Sequence, residues 1–206
     1  MTSEEYIREH LETVQKVAAE LLGKQSDKIK LIVNALYDAW ERDIKVFTFG
    51  NGGSQANASH LAADLVKTVI DNPVKKHGIR AVCLGDNPSL MSALINDSGW
   101  ADVYKAQLKT FAKPGDIVIA MSVHGGSGSD KAGAWSQNIL RGLQYARYVG
   151  CFTIGLSGFD GGPMKDLVNV SVVVPAESTP LVESFHYLLN HLVVFRVKEM
   201  IEEETR

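Results

Sequence analysis

A run of β-formers, Lys-Val-Phe-Thr-Phe at residues 45–49, ends in Gly50-Asn51-Gly52-Gly53-Ser54 and resumes as alanine-rich sequence with helical spacing. That order predicts a strand, a tight turn and a helix. Such a turn is a natural anion site. Its glycines let backbone N–H groups crowd towards an oxyanion, and the following helix adds its unpaired N-terminal donors and positive dipole end. Ser54 either caps that helix or faces the anion. His60 and Asp64, four apart, share one face of the helix further on. The pair suits metal ligation or proton transfer, and it equally suits an ordinary ion pair one turn apart.

The chain has 206 residues, enough for one domain over residues 1–206 with a substantial core of its own. Its formal charge of −3, with no block of Lys or Arg, argues against a broad footprint on nucleic acid or on an anionic membrane. Phosphate recognition is therefore expected to be local. Cys83 and Cys151 lie in apolar strand-like runs, where buried reduced thiols are expected rather than a disulfide between them. The opening Met-Thr-Ser-Glu-Glu-Tyr lacks the features of a signal peptide, and no apolar run is long enough for a bilayer. A cytoplasmic location is the expectation.

Ahead of the first strand, Ile7, Leu11, Val14, Ala18 and Leu21 form one helical seam, and Ile29, Ile32, Val33, Leu36 and Trp40 form another. Thr2 or Ser3 with Glu4 and Glu5 reads as a cap for the first. Gly23 as a stop and Ser26 as a new cap then predict a helical hairpin over residues 1–42, used in oligomerisation. Further strands are expected at 79–84, 117–121, 151–156 and 168–174, with helices at 89–94, 103–111 and around 139–146. Asn96 and Asp97 fall in an expected turn, where Asp97 is either a turn former or a carboxylate facing substrate. Residues 122–129, Ser-Val-His-Gly-Gly-Ser-Gly-Ser, make a second glycine- and hydroxyl-rich loop after an apolar strand. In an open parallel sheet, both loops emerge at the strand carboxyl ends, where ligands bind; a flexible linker is the alternative.

A long helix is expected from about residue 179 to 203, with Pro180 in its first turn. Glu183 and His191 on it are eight apart, hence about 80° apart around the axis, which lets them address one site from successive turns. His186 reads as a core or interface histidine.

Together, Gly50-Asn51-Gly52-Gly53-Ser54, His60 four before an acid, the loop from Ser122, and His186 and His191 on a terminal helix resemble the sugar isomerase (SIS) domain family. Within it they are most similar to the phosphoheptose isomerases, which convert sedoheptulose 7-phosphate to D-glycero-D-manno-heptose 7-phosphate. The likeness spans nearly the whole chain. It implies a three-layer α/β/α sandwich with a five-stranded parallel sheet over residues 43–206, and a homotetramer or homodimer with sites built between subunits. It implies sugar binding at Asn51, Gly52, Gly53, Asn96 and Asp97, and phosphate binding at Ser122 and Ser127. It implies a zinc site at His60, Asp64, Glu183 and His191.

Three residues depart from the family pattern: Asp64 stands for a glutamate, Glu183 for a glutamine, and His124 for a phosphate-binding serine. Two histidines and two carboxylates remain a sound zinc set, and His124 bears on which anion or sugar shape is accepted. The implied chemistry is aldose–ketose interconversion through an enediolate, with Asp64 and His191 sharing the proton transfers and a divalent metal polarising the oxygens. Two alternatives accompany it: an isomerase of another phosphorylated or sulfonated sugar, or a non-enzymatic SIS protein that binds a replication initiator. Asp64 favours the enzymes, because the non-enzymatic group carries a small neutral residue there.

Overall fold

Five short apolar runs set the architecture. A computed structural model describes residues 1–68, 75, 77–126 and 136–204. Strands β1 (Lys45–Phe49), β2 (Arg80–Cys83), β3 (Ile117–Met121), β4 (Phe152–Ser157) and β5 (Val170–Val173) form one sheet in the order β2-β1-β3-β4-β5, and every pairing is parallel. Central β3 is buried at each of its five residues, as an apolar run covered on both faces should be.

Alternation along the strands sends side chains into two separate cores. On one face Val46, Ile119 and Leu156 pack against helices α1 (Ser3–Glu41), α2 (Gly53–Lys67) and α7 (Thr179–Glu204). On the other, Phe47, Phe49 and Val118 pack against α4 (Val103–Phe111) and α5 (Gln137–Tyr148), with α3 (Pro88–Ser98) and α6 (Met164–Leu167) alongside. The expected three-layer α/β/α sandwich is present. The chain order reverses between β1 and β3, so the loops after these two strands flank the crevice in which parallel sheets collect ligands.

The expected N-terminal hairpin is absent. Residues Ser3–Glu41 form one continuous helix of 39 residues, begun by a capping box between Thr2 and Glu5. Gly23 lies inside it with open space where a Cβ would stand, and the Ser26 hydroxyl donates back to the Leu22 carbonyl instead of capping a new helix. A glycine in a helix interior costs only about 1 kcal/mol against alanine, too little to break a helix whose second half is anchored by Ile32, Leu36 and Trp40.

Two smaller boundaries also differ. Helix α3 runs through Asn96 and Asp97 to Ser98, where Gly99, at φ 79°, ends it before a 3₁₀ turn, Trp100–Asp102. The N-cap of α2 is Gly52, at φ 55°, and Ser54 lies within the helix, 2% exposed. Cys83 and Cys151 are both buried and free. No helix among the described residues is long and apolar enough to cross a membrane.

Candidate active site

The turn after β1 owes its shape to contacts that exclude side chains. A Cβ at Gly50 would stand 2.6 Å from the Ser54 backbone, and one at Gly53 would stand 2.3 Å from the Glu183 carboxylate. The turn is also held from outside. Gln55 Oε1 accepts from the Gly50 N–H at 3.1 Å, the Tyr104 hydroxyl donates to the Gly50 carbonyl, and Gln55 Nε2 donates to Cys83 Sγ at 2.9 Å. Tyr104 is 1% exposed, and burial pushes its phenol well above the ordinary range, so it stays protonated and donates.

Asn51 is fixed by a reciprocal amide pair. Its Nδ2 donates to Asn138 Oδ1 at 3.0 Å and Asn138 Nδ2 donates back to Asn51 Oδ1 at 2.8 Å, with Ser136 Oγ a further acceptor at 3.3 Å. Asn138 is fully buried, which leaves Asn51 as the half-exposed member facing the crevice.

Helices α2 and α7 run side by side in the same direction, with Gly53 beside Glu183 and His60 beside His191. Two buried asparagines join them: Asn57 Nδ2 donates to the Glu183 carbonyl and Asn190 Nδ2 to the Asn57 carbonyl, each at 2.9 Å. This alignment creates a cluster. His60 Nε2 lies 3.0 Å from His191 Nε2 and 3.0 Å from Asp64 Oδ2, and His191 Nε2 lies 3.5 Å from the same oxygen. Asp64 is 4% exposed, with its other oxygen 3.3 Å from Lys67 Nζ. A tetrahedral ion with ligands at about 2.0–2.2 Å separates its donors by roughly 3.3–3.6 Å. Two imidazole nitrogens and one carboxylate oxygen at 3.0–3.5 Å therefore fit a divalent ion such as zinc with small adjustments. The short Asp64 side chain reaches both imidazoles.

Glu183 stands apart. Among the described residues the donors that converge are His60, Asp64 and His191, while the Glu183 carboxylate lies over Gly53 at the start of α2. Eight residues of helix rise about 12 Å, which puts Glu183 on the level of the turn after β1 and His191 two turns below it. The azimuthal match inferred from spacing omits that rise.

Ser122 is buried where β3 ends, its Oγ accepting from the Gly126 N–H at 3.2 Å. The His124 ring packs on Phe159, with centroids 4.1 Å apart. Ser127 lies outside the described residues. Asn96 and Asp97 are exposed on α3, where the Asn96 amide donates to the Asp97 carboxylate at 2.9 Å. They are not brought to the His60 cluster by any recorded hydrogen bond or ion pair among the described residues. Asn57, Asn138 and Asn190 were not singled out by sequence reasoning, although polar residues within otherwise apolar helical stretches are a usable signal of such ties.

Against known proteins, the family model described as SIS domain matches residues 6–158. The chain is 33% identical over 202 residues to the phosphoheptose isomerase of Geotalea daltonii, covering 98% of this chain and 99% of that one. It is 38% identical over 160 residues to the lincomycin biosynthesis protein LmbN of Streptomyces lincolnensis, covering 76% of this chain and 56% of LmbN. Among solved structures, a phosphoheptose isomerase from Francisella tularensis superposes with a TM-score of 0.84 at 21% identity, covering 97% of this chain and all of that one, a likeness of fold.

Proposed function

This chain belongs to the SIS domain family, and from that membership we propose that it is a phosphosugar aldose–ketose isomerase acting on sedoheptulose 7-phosphate. The observation that carries the reading is the convergence of His60, Asp64 and His191 on one point between α2 and α7, two helical turns along from the Asn51 turn. Full-length similarity to a protein named phosphoheptose isomerase supports the substrate.

In this reading Asn51, Gly52 and Gly53 bind the sugar, with Asn138 holding the Asn51 amide in one orientation. Glu183 lies against Gly53, placed to accept hydrogen bonds from sugar hydroxyls. Ser54, Ser122, His124 and Ser127, with Asn96 and Asp97, remain assigned to substrate, the last pair reaching it from a neighbouring subunit. Asp64 removes the proton beside the carbonyl, and His191 moves protons between the two oxygens. His60, Asp64 and His191 would hold a divalent ion such as zinc, which would polarise the substrate oxygens. The protein acts as a homotetramer, or as a homodimer, supported by the apolar groove between α1 and α7. Two free buried thiols are in keeping with the cytoplasm.

The test is conversion of sedoheptulose 7-phosphate to the aldose by the zinc-loaded protein. Asp64→Asn and His191→Ala are expected to fold normally and to lose about 10²- to 10⁴-fold in rate. Wild-type turnover in both variants would overturn the assignment. A second reading, isomerisation of another phosphorylated or sulfonated sugar, is favoured by His124 and by the likeness to the lincomycin biosynthesis protein LmbN. A screen of ketose phosphates and sulfonates with the same variants separates the two. Activity on none of them, together with retention of a replication initiator in a pull-down, would favour the non-enzymatic alternative.

A further inference from the structure

Metal-binding histidines are usually oriented by a hydrogen bond through the ring nitrogen that does not bind the metal. Here the contacts of both imidazoles with polar partners run through Nε2 among the described residues, to each other and to Asp64. Both rings are also partly open to solvent, with side-chain exposures of 32% for His60 and 43% for His191. The χ2 torsion of histidine is broad and soft, so something else must set the ring planes. One side chain touches both. The Tyr187 ring lies 4.5 Å from that of His60 at an interplanar angle of 28°, a stacked contact. It lies 4.7 Å from that of His191 at 74°, an edge contact. The imidazoles themselves meet edge-on, with centroids 5.1 Å apart. Tyr187 precedes His191 by one helical turn on α7 and reaches across to His60 on α2, so it bridges the two helices at the level of the site.

We propose that Tyr187 is a positioning residue that holds the His60 and His191 rings with both Nε2 atoms turned towards Asp64, through its ring faces and edges rather than its hydroxyl. The inference rests on the metal function assigned to that cluster. It concerns packing around the imidazoles, and it predicts an effect on affinity for the ion before any effect on turnover.

The experiment is competition between the purified protein and a chromophoric chelator for zinc, with the visible spectrum of the cobalt-substituted protein as a second readout. Tyr187→Phe, which keeps the ring, is expected to match the wild type in both. Tyr187→Ala is expected to bind zinc about tenfold more weakly and to give an altered cobalt spectrum, as loss of two aromatic contacts implies. Tyr187→Leu, which keeps apolar volume without a ring, is expected to follow Ala. Tyr187 is 39% exposed, and the thermal unfolding of the three metal-free variants should coincide with that of the wild type. Wild-type affinity in both Ala and Leu overturns the proposal, as does a Phe variant as weak as Ala, which would assign the effect to the hydroxyl. A wild-type protein with no measurable zinc affinity overturns the metal function and this inference with it, a result distinct from tight binding in every variant.

Discussion

At the scale of single residues, the core histidine of α7 is the one that solvent does not reach. His186 is fully buried, and desolvation lowers its pKa to about 4, partly offset by the Ser157 carbonyl. The unfolded chain takes up this proton near pH 6.5 and the folded chain does not. Stability from neutral His186 is therefore complete above about pH 6.5, falls as pH drops below it, and is exhausted near pH 4, a loss of about 3 kcal/mol. Urea denaturation at fixed protein concentration should show His186→Gln with a shallower loss between pH 6.5 and 4 than the wild type. Equal slopes would mean that His186 is protonated in the folded state. The contrast also marks what was legible in sequence. His60 and Asp64 could be paired because four residues of one helix carry the information. The meeting of Asn51 with Asn138, or of Tyr187 with His60, depends on long-range packing of separate elements, and no local spacing encodes it.

At the scale of elements, the strands were readable because each run of β-formers meets a glycine or proline turn on at least one side, and β3, buried throughout, has no polar face to blur it. The N-terminal helix was misread because a local breaker was weighed against nothing else. Gly23 has no neighbour within 4 Å of a built Cβ and lies in a regular helix, so substitution there meets no strain. Gly23→Ala should stabilise the protein by about 0.5–1 kcal/mol, chiefly by lowering the entropy of the unfolded chain. A rise in the urea midpoint at unchanged slope would register it. A destabilised variant would show that position 23 is packed against something more than its own helix. The expected turn at Asn96 and Asp97 failed for a related reason. Asn and Asp favour turns only where the backbone is free to leave the helix, and in α3 the chain leaves two residues later, at Gly99, which takes a positive φ without cost.

For the whole molecule, the position of the site on the surface is the telling feature. His191 sits on α7 between Leu188, Leu192 and Phe195, which are 48%, 45% and 51% exposed. The same face continues into a groove of about 720 Å³ that Leu22 and Ile29 of α1 also line. Leu22 is 75% exposed, and further along α1 Ile7 and Leu11 are 57% and 56% exposed. Burying each half-exposed leucine is worth about 1 kcal/mol, so several together favour association with a second copy over solvation. In the reading proposed above, association also supplies Asn96 and Asp97 from another subunit. Leu22 lies on α1, which carries no residue assigned to chemistry, and that makes it the fair place to disturb. Sedimentation should give the wild type several times the monomer mass and Leu22→Glu a smaller species. If neighbouring subunits complete the site, isomerase activity should fall in step with dissociation and recover at concentrations that restore the assembly. A Leu22→Glu protein that dissociates and keeps full activity would show that one chain holds everything the reaction needs, and Asn96 and Asp97 would then leave the list of substrate ligands.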